Sequence, residues 1–505
     1  MKKKNLFDLY LELLTDDELK EINSFFKDFN SRCLLSKFEK NKLRKDFENA
    51  LIYYNDNNIS VSKALELLSL DNLGGFYARD AQSWFPLDDA AKIYPVCMEH
   101  GVMSMFRLAF NLKQDVLPEL LQMALNFTIK RFPSFSTTLK KGIFWHYLDS
   151  TKRRFNVKEE DDIPCQSLKV SRSGSQSFRV LYYKNRISVE FFHVLTDASG
   201  GLEFLKSLVN EYLRLSNVII NDKSNIIDIN EIPDVSEYCN EFKNIEKTPN
   251  ASGLYNKLAT QMSGSLSKNR PCRIINYKIE TTKLKEVCKK YNITISTFFL
   301  SLMFIACKNS CEEYDGEFSI QVPVNMRKYY TSKTLRNFSM YCGIRLPIKD
   351  IHDISSISDE ISRQLKQKSS KEEMHKMLYA TKKLIKGIRL IPLIIKQPIA
   401  KFISGFLGDQ AFTSTLSNIG IVNLSDEFNS YIKDVEFTLN TSVYNRGACG
   451  VATFNNITTM SISKNTVDPS FESKIYELLK QEGLDVVVEG SELYENWCYI
   501  STSKR

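Results

Sequence analysis

The chain has 505 residues, more than one ordinary hydrophobic core organises, so we expect two or three folding units. Hydrophobic residues make up 43% and aromatic residues 11% of the chain, a composition that excludes a disordered or fibrous protein. The net charge of +8 is a small surplus of 68 basic over 60 acidic residues. Because no dense basic stretch is interleaved with aromatics, we expect no nucleic-acid partner.

The cysteines and the N-terminal residues indicate a reducing compartment and no secretion. The eleven cysteines are scattered singly without a C-x-x-C pair, so the sequence predicts neither a disulfide framework nor a zinc site. Asp8, Glu12 and Asp16 interrupt the apolar run that a signal peptide needs. No stretch approaches the roughly 18 uncharged apolar residues of a membrane-spanning helix. We expect a cytoplasmic protein without a bound metal.

The first predicted element is a helical N-terminal extension, residues 1–78. Apolar residues recur at helical spacing in three short segments, with an asparagine-rich break at residues 55–58 before the last. The three sets are Leu6, Leu9 and Leu13; Leu19, Ile22, Phe25 and Phe26; and Val61, Leu65, Leu67 and Leu68. We interpret the extension as a packing or partner-docking region without chemistry of its own.

Alternating strands and helices then predict an α+β fold of two lobes, each a mixed sheet flanked by helices. We place the N-terminal lobe at residues 79–225 and the C-terminal lobe at residues 226–505. The predicted strands are 102–112, 143–148, 178–183, 187–195, 273–279, 318–324, 342–346, 412–416, 435–443 and 451–463. The predicted helices are 116–129, 281–291, 296–311, 354–386 and 469–482. Two similar lobes imply a site between them.

Residues 384–407 are apolar and basic together, a composition typical of a helix that lies on a membrane surface. Pro392 and Pro398 would break such a helix into short pieces. The same apolar residues equally suit the wall of an acyl pocket. Both interpretations, peripheral membrane contact and pocket wall, are open from the sequence.

Residues 187–215 are the stretch that most directly indicates chemistry. An apolar, β-branched strand is followed by a helix with three- and four-residue apolar spacing, and Ser199, Gly200 and Gly201 supply the turn between them. His193 and Asp197 lie at this junction, where the end of a strand delivers side chains into a cleft. An imidazole and a carboxylate four residues apart suit a base and its support.

An H-x-x-x-D motif after an apolar strand resembles the signature of the chloramphenicol-acetyltransferase-like acyltransferases. This superfamily includes condensation domains and, as the branch most similar to this chain, alcohol acetyltransferases. Phe192 and Ala198 depart from the condensation-domain pattern H-H-x-x-x-D-G. Further stretches resemble the family in the same chain order, at residues 84–95, 105–107, 131–133, 142–145, 323–327 and 417–420. The resemblance covers roughly residues 84 to 481, and it implies that the two lobes are chloramphenicol-acetyltransferase-like.

The resemblance implies a catalytic motif of His193 and Asp197, with His193 as general base. It also implies that Asp197 pairs with Arg327 of the other lobe as structural support, together with Gly200. Candidate donors to an oxyanion or substrate are Ser417, Asn418 and Asn325. A tight turn at Gly420 explains the first two equally well.

From this resemblance we expect an acyltransferase that moves an acyl group, such as acetyl, from a coenzyme A thioester to an alcohol or amine. Acyl-CoA would be a co-substrate, and no metal takes part. Two alternatives stay open: an enzyme that uses thioesters on an acyl carrier protein to form an amide or ester, and a non-catalytic scaffold of the same fold. Phe192 and the N-terminal extension prompt the second alternative.

Overall fold

The computed structural model describes residues 5–74, 84–96, 103–151, 153–168, 174–249, 251–254, 257–399, 409–441 and 445–491. The helices in these residues are α1 (Leu6–Leu11), α2 (Asp16–Arg32), α3 (Lys37–Asp56), α4 (Val61–Leu67), α5 (Pro118–Thr128), α6 (Ala198–Leu215), α7 (Thr281–Lys290), α8 (Ile295–Asn309), α9 (Ile354–Lys368), α10 (Lys371–Gly387), α11 (Asp426–Asn429) and α12 (Ser470–Gln481). The strands are β1 (Trp84–Pro86), β2 (Met105–Leu112), β3 (Thr137–Lys141), β4 (His146–Ser150), β5 (Val157–Glu159), β6 (Ser175–Gln176), β7 (Phe178–Tyr183), β8 (Arg186–Phe192), β9 (Arg273–Glu280), β10 (Glu317–Asn325), β11 (Ser339–Pro347), β12 (Ser414–Ile421), β13 (Ile432–Leu439), β14 (Gly447–Phe454), β15 (Ile457–Lys464) and β16 (Val486–Gly490).

The N-terminal extension is a helical cluster, α1 to α4, that packs on the first lobe. Thr15, Ser36 and Ser60 cap α2, α3 and α4, because each hydroxyl oxygen accepts a backbone N–H from the first turn. The ring centroid of Phe47 in α3 lies 6.2 Å from that of Phe127 in α5. The extension therefore shares one hydrophobic core with the lobe behind it.

The buried face of α1 differs from the predicted one. Phe7 and Tyr10 are buried, whereas Leu6 is 72% exposed and Leu13 is 74% exposed. The helix has only six residues, so Leu13 lies beyond its end and cannot continue an apolar stripe. The two aromatic rings also offer more apolar area for burial than the leucines do, which decides the orientation of so short a helix.

The first lobe is a five-stranded sheet in the order β13-β2-β8-β7-β5. β7 and β8 form the predicted hairpin and pair antiparallel across a two-residue turn, in which Lys184 has a φ of 48°. Helices α5 and α6 pack against each other, and α6 also packs on β2 and β8. Strand β13 pairs antiparallel with β2, so this sheet draws on both sides of the predicted boundary between residues 225 and 226.

The second lobe is a seven-stranded mixed sheet in the order β11-β10-β12-β14-β15-β9-β16. The neighbours β10, β12 and β14 are parallel, and the other pairs are antiparallel. Helix α8 is buried from Thr297 to Cys307, and α9 and α12 pack on it. No single described helix is long and apolar enough to cross a membrane. Helices α7 and α8 together have the required length and composition, but the pair is bent by 78°. The expected α+β class with two mixed sheets and N-terminal helices is confirmed.

Some predicted elements are wrong in extent. The strand predicted at 451–463 is two strands, β14 and β15, which pair antiparallel. The helix predicted at 354–386 is two helices, α9 and α10, because the hydroxyl of Ser370 accepts the backbone N–H of Glu373 and starts a new helix. The strand predicted at 143–148 begins only at His146, because Gly142 donates its N–H to the carbonyl of Trp145 and closes a turn. That turn joins β3 to β4 in a small sheet of order β1-β4-β3-β6.

Candidate active site

The predicted His193 lies in a turn between β8 and α6. The strand that we predicted to reach residue 195 ends at Phe192, because the N–H of Leu195 bonds the carbonyl of Phe192 at 2.9 Å and turns the chain. The N–H of His193 donates to the carbonyl of Ser104, just before β2, at 2.9 Å. Backbone hydrogen bonds therefore fix the turn from Phe192 to Leu195, and the imidazole of His193 projects from this turn.

The imidazole of His193 is partly exposed and is held between aromatic rings. Tyr94 stacks on it, with ring centroids 4.8 Å apart and planes 22° apart. Phe106 of β2 meets it edge to face at 5.2 Å. Burial raises the pKa of Tyr94, and the carboxylates of Asp88 and Asp197 raise it further, so the phenol stays neutral. The ring of His193 thus has one apolar wall and one open side.

Asn337 fixes which nitrogen of His193 carries the proton. His193 Nδ1 lies 2.7 Å from Asn337 Oδ1, and Asn337 Nδ2 lies 3.4 Å from Asp88 Oδ2. A carboxylate only accepts hydrogen bonds, so the amide nitrogen faces Asp88 and the amide oxygen faces the imidazole. That oxygen requires a proton on Nδ1, an assignment that rests on the hydrogen-bond network. Nε2 of His193 is therefore left with a free lone pair.

Asp88 is buried and anchors this chain of hydrogen bonds. Burial raises the pKa of its carboxyl, while the Arg336 guanidinium, the N–H of Ala91 and the amide of Asn337 lower it. Arg336 Nη2 lies 3.6 Å from Asp88 Oδ2, and the Ala91 N–H donates to Asp88 Oδ1 at 2.7 Å. On balance the pKa of Asp88 is raised, because burial outweighs the cation and the donors, and the contact of its Oδ2 with Asn337 Nδ2 orients that amide.

The ion pair between Asp197 and Arg327 is present. Asp197 Oδ2 accepts Arg327 Nη1 at 2.8 Å and the N–H of Phe338 at 2.8 Å, while its Oδ1 accepts the N–H of Gly200 at 3.1 Å. Asp197 is also the N-cap residue of α6. No hydrogen bond joins Asp197 to His193 among the described residues, so the carboxylate serves the loop and the helix rather than the base.

Arg327 ties the site together from the second lobe. Besides Asp197, its guanidinium donates to the carbonyl of Thr334 from Nε at 3.0 Å and from Nη2 at 2.7 Å, and to the carbonyl of Arg336 at 2.7 Å. These carbonyls belong to the segment that carries Asn337. One planar cation therefore holds both the H-x-x-x-D loop of the first lobe and the segment that orients His193.

Gly200 permits the close approach of the two lobes. A Cβ at this position would lie 2.0 Å from the carbonyl oxygen of Leu335 and 2.4 Å from Thr196 Oγ1. Thr196 Oγ1 itself donates to the Leu335 carbonyl at 2.5 Å. Since the nearest obstacle is backbone, a side chain at position 200 would push the segment that carries Asn337 away from His193.

We expect Gly200→Ala to lower the free energy of unfolding by about 1–3 kcal/mol, because overpacking against fixed backbone has a cost of that size. Chemical denaturation of the full chain measures it. The matched control is Gly387→Ala at the end of α10, where nothing lies within 4 Å of the added Cβ. Equal unfolding midpoints for the two variants would contradict the tight lobe contact.

The three candidate oxyanion donors differ in the hydrogen bonds that their side chains already make. Asn418 Oδ1 accepts the N–H of Gly420 at 2.8 Å, and Gly420 has a φ of 77°, so Asn418 shapes a turn. Asn325 donates to Ser199 Oγ at 2.9 Å and accepts the N–H of Arg327 at 3.0 Å. Ser417 is buried on β12, and its hydroxyl makes no hydrogen bond within the described residues. The three are not joined to His193 by any described hydrogen bond.

Sequence reasoning missed four side chains of the site: Asp88, Tyr94, Phe106 and Asn337. Asp88, Tyr94 and Phe106 lie in stretches that carry the family resemblance, at residues 84–95 and 105–107, so the resemblance marked their segments but not their roles. Asn337 lies outside these stretches and carries no local signal. Its contact with His193 spans 144 residues and exists only in the folded chain.

Comparison by sequence finds no matching family model and no matching curated protein. Solved structures do match. Trichothecene 15-O-acetyltransferase TRI3 from Fusarium sporotrichioides has a TM-score of 0.53 and 12% identity, over 79% of this chain and 94% of that one. TRI101 of F. sporotrichioides, complexed with coenzyme A and T-2, has a TM-score of 0.53 and 11% identity, over 80% of this chain and 100% of that one. A variant of the starter condensation domain of rhizomide synthetase, in complex with C8-CoA and Leu-SNAC, has a TM-score of 0.51 and 11% identity, over 79% of this chain and 93% of that one.

These likenesses show the fold of this chain. It is the two-lobed chloramphenicol-acetyltransferase-like fold to which the sequence resemblance pointed, and the matching structures include an O-acetyltransferase and a condensation domain.

Proposed function

We propose that this protein is an acyltransferase that moves an acyl group from a coenzyme A thioester to an alcohol, with His193 as general base. The observation that carries the proposal is the fixed tautomer of His193. Asn337 Oδ1 accepts the Nδ1 proton at 2.7 Å, which leaves the Nε2 lone pair available on a partly exposed ring. A base with this environment matches the chemistry of acyl transfer at neutral pH.

In the proposed reaction the acceptor hydroxyl donates its proton to His193 Nε2 while its oxygen attacks the thioester carbonyl. The tetrahedral intermediate collapses, the carbon–sulfur bond breaks, and the electron pair leaves on the coenzyme A sulfur. The imidazolium then returns the proton to that thiolate, and ester and free thiol result. Throughout, Asn337 Oδ1 accepts the Nδ1 proton and stabilises the imidazolium.

The other site residues would support this step without touching the reacting atoms. Asp197 and Arg327 keep the loop and the segment of Asn337 in register, as their shared hydrogen bonds indicate. Ser417 is the preferred oxyanion donor, since the amide nitrogens of Asn418 and Asn325 already donate to Ser296 and Ser199. An attack on a thioester needs no acyl-enzyme, because the donor is already activated.

The test is a thiol-release assay of the full chain with short and long acyl-CoAs against a panel of alcohols and amines. We expect release that depends on an alcohol acceptor. Faster release from acyl-phosphopantetheinyl carrier protein than from acyl-CoA would move the proposal to condensation-type chemistry. Binding of coenzyme A in calorimetry without turnover across the panel would favour the non-catalytic scaffold and overturn the proposal.

We expect Asn337→Ala to lower kcat for acyl transfer by about ten- to a hundredfold, because the tautomer and the orientation of His193 are then no longer fixed. The imidazolium that forms in the reaction also loses its hydrogen-bond partner, so the loss should fall on kcat and leave KM little changed. The split between kcat and KM separates this role from a merely structural one.

The matched control for Asn337→Ala is Asn126→Ala, which removes a buried asparagine that bonds Asp46 Oδ2 at 2.9 Å, far along the chain from the site. It should lower stability without changing kcat. An unchanged kcat in Asn337→Ala would show that this asparagine does not position the base.

A further inference from the structure

Residues 384–399 and the turn between β3 and β4 expose a set of large apolar side chains on one surface, which we call the apolar face. Ile394 is 77% exposed and Ile143 is 75% exposed. The other exposed members are Phe144, Leu384, Leu390, Ile395 and Ile399. These side chains are accessible to solvent, which favours a surface role for them over the wall of an enclosed acyl pocket. Contiguous exposed apolar side chains mark an interaction site.

Polar contacts join the two segments of the apolar face into one surface. The N–H of Leu393 donates to the carbonyl of Ile143 at 2.9 Å, and the buried Leu393 side chain lies beneath the face. Lys396 Nζ donates to the carbonyl of Phe144 at 2.6 Å and lies 3.2 Å from the centroid of the Trp145 ring. Burial, together with the nearby Lys92, lowers the pKa of Lys396 to about 8. Hydrogen bonds therefore fix residues 393–396 against the turn between β3 and β4.

The charged side chains of residues 374–399 are all basic. No aspartate or glutamate occurs from residue 374 to residue 399. Lys383, Lys386 and Arg389 are exposed and make no salt bridge among the described residues, and Lys141 on the adjoining turn is exposed as well. Exposed apolar side chains bordered by unpaired cations have the composition of a surface that binds anionic lipid.

We infer that the apolar face docks this protein onto an anionic membrane surface, with its isoleucines and leucines in the headgroup region and its cations against lipid phosphates. Charge decides against a second copy of the chain. A two-fold interface through this face would bring Lys383, Lys386 and Arg389 towards the same residues of the partner copy, with no acid in the segment to compensate. An anionic bilayer complements both the apolar area and the charge.

Residues 92–94 connect the apolar face to His193. Lys92 Nζ lies 5.7 Å from the centroid of the Trp145 ring, at the edge of the face, and Tyr94 of the same turn stacks on His193. A membrane-bound enzyme would therefore present its site near the bilayer, which suits an acceptor or acyl chain that partitions into lipid. This consequence rests on the proposed function, whereas the docking itself does not.

The test is co-sedimentation of the full chain with phosphatidylcholine vesicles that contain or lack phosphatidylglycerol. We expect binding that needs the anionic lipid and weakens with salt. Ile394→Asp should lower the partition coefficient about ten- to a hundredfold, from the loss of one buried isoleucine. Lys386→Glu should lower it about fivefold or more on anionic vesicles, since each surface cation contributes on that scale.

The matched controls are Ile232→Asp, at a 91% exposed isoleucine outside the face, and Lys289→Glu, at an exposed lysine of α7, neither of which should change binding. Absence of binding to vesicles of either composition would overturn the inference, as would equal losses in face and control variants. A dimer in sedimentation velocity without lipid, lost only in Ile394→Asp, would assign the face to a second copy instead. None of these readouts needs turnover, so they stand apart from the acyl-transfer assay.

Discussion

Replacement of His193 by alanine is expected to lower kcat/KM for acyl transfer by about 10²- to 10⁴-fold, the range that a positioned general base contributes. The fold should persist. The ring is partly exposed, and its loss removes contacts with Tyr94 and Phe106 of the kind worth about 1 kcal/mol. Thiol release gives the rate, and the thermal unfolding midpoint reports the fold.

His352→Ala is the control. His352 is exposed, and among the described residues it makes no side-chain hydrogen bond like the one between His193 and Asn337. It should leave both rate and midpoint as they are. A His193→Ala variant that is as active as the unchanged chain would remove the base from the mechanism. A variant that unfolds instead is distinguished by its midpoint, and His193→Gln, which keeps a polar side chain near Asn337, then supplies the kinetic comparison.

Replacement of Asp197 by alanine is expected to lower the free energy of unfolding by about 3–5 kcal/mol, the usual cost of removing one partner of a buried ion pair. The Asp197 side chain is 5% exposed and that of Arg327 is 16% exposed, so water replaces the lost partner poorly. The variant also removes the cap of α6 and the acceptor of the Phe338 N–H. Urea denaturation followed by circular dichroism measures the loss.

Arg363→Ala is the control for a broken pair at the surface, since Arg363 and Glu360 are 62% and 41% exposed. Its expected cost is far smaller than that of Asp197→Ala, because water screens an exposed ion pair. The loss of stability in Asp197→Asn should lie between those of Asp197→Ala and Arg363→Ala. The amide oxygen can still accept hydrogen bonds from N–H groups, but it carries no charge to pair with Arg327. Full stability together with complete loss of transfer in Asp197→Ala would give Asp197 a catalytic role in place of a supporting one.

Local sequence patterns predicted the strand, turn and helix around His193 because alternation and three-to-four-residue spacing are properties of neighbouring residues. The hairpin of β7 and β8 and the helix α6 were found in this way. The same patterns failed where a local competitor decided the outcome. The hydroxyl of Ser370 divided a predicted helix in two, and the aromatic rings of Phe7 and Tyr10 outweighed the leucines of α1.

The site was only partly accessible from the sequence. The resemblance supplied Arg327 as the partner of Asp197, and the two are joined at 2.8 Å. It did not supply Asn337 or the role of Asp88, because a hydrogen bond between side chains far apart in the chain leaves no periodicity. The sequence also left the exposure of residues 384–399 undecided, because the pattern of apolar residues is the same whether they face a pocket or the solvent.

The sequence by itself determined the order of most strands and helices of the two lobes, the junction that carries His193 and Asp197, and the cationic and apolar character of residues 384–399. These follow from residue type and short-range spacing. The tertiary structure alone decided that β13 completes the sheet of the first lobe and that Asn337 meets His193. Both depend on how the two lobes pack, and packing is settled by the burial of surfaces that are distant in the chain.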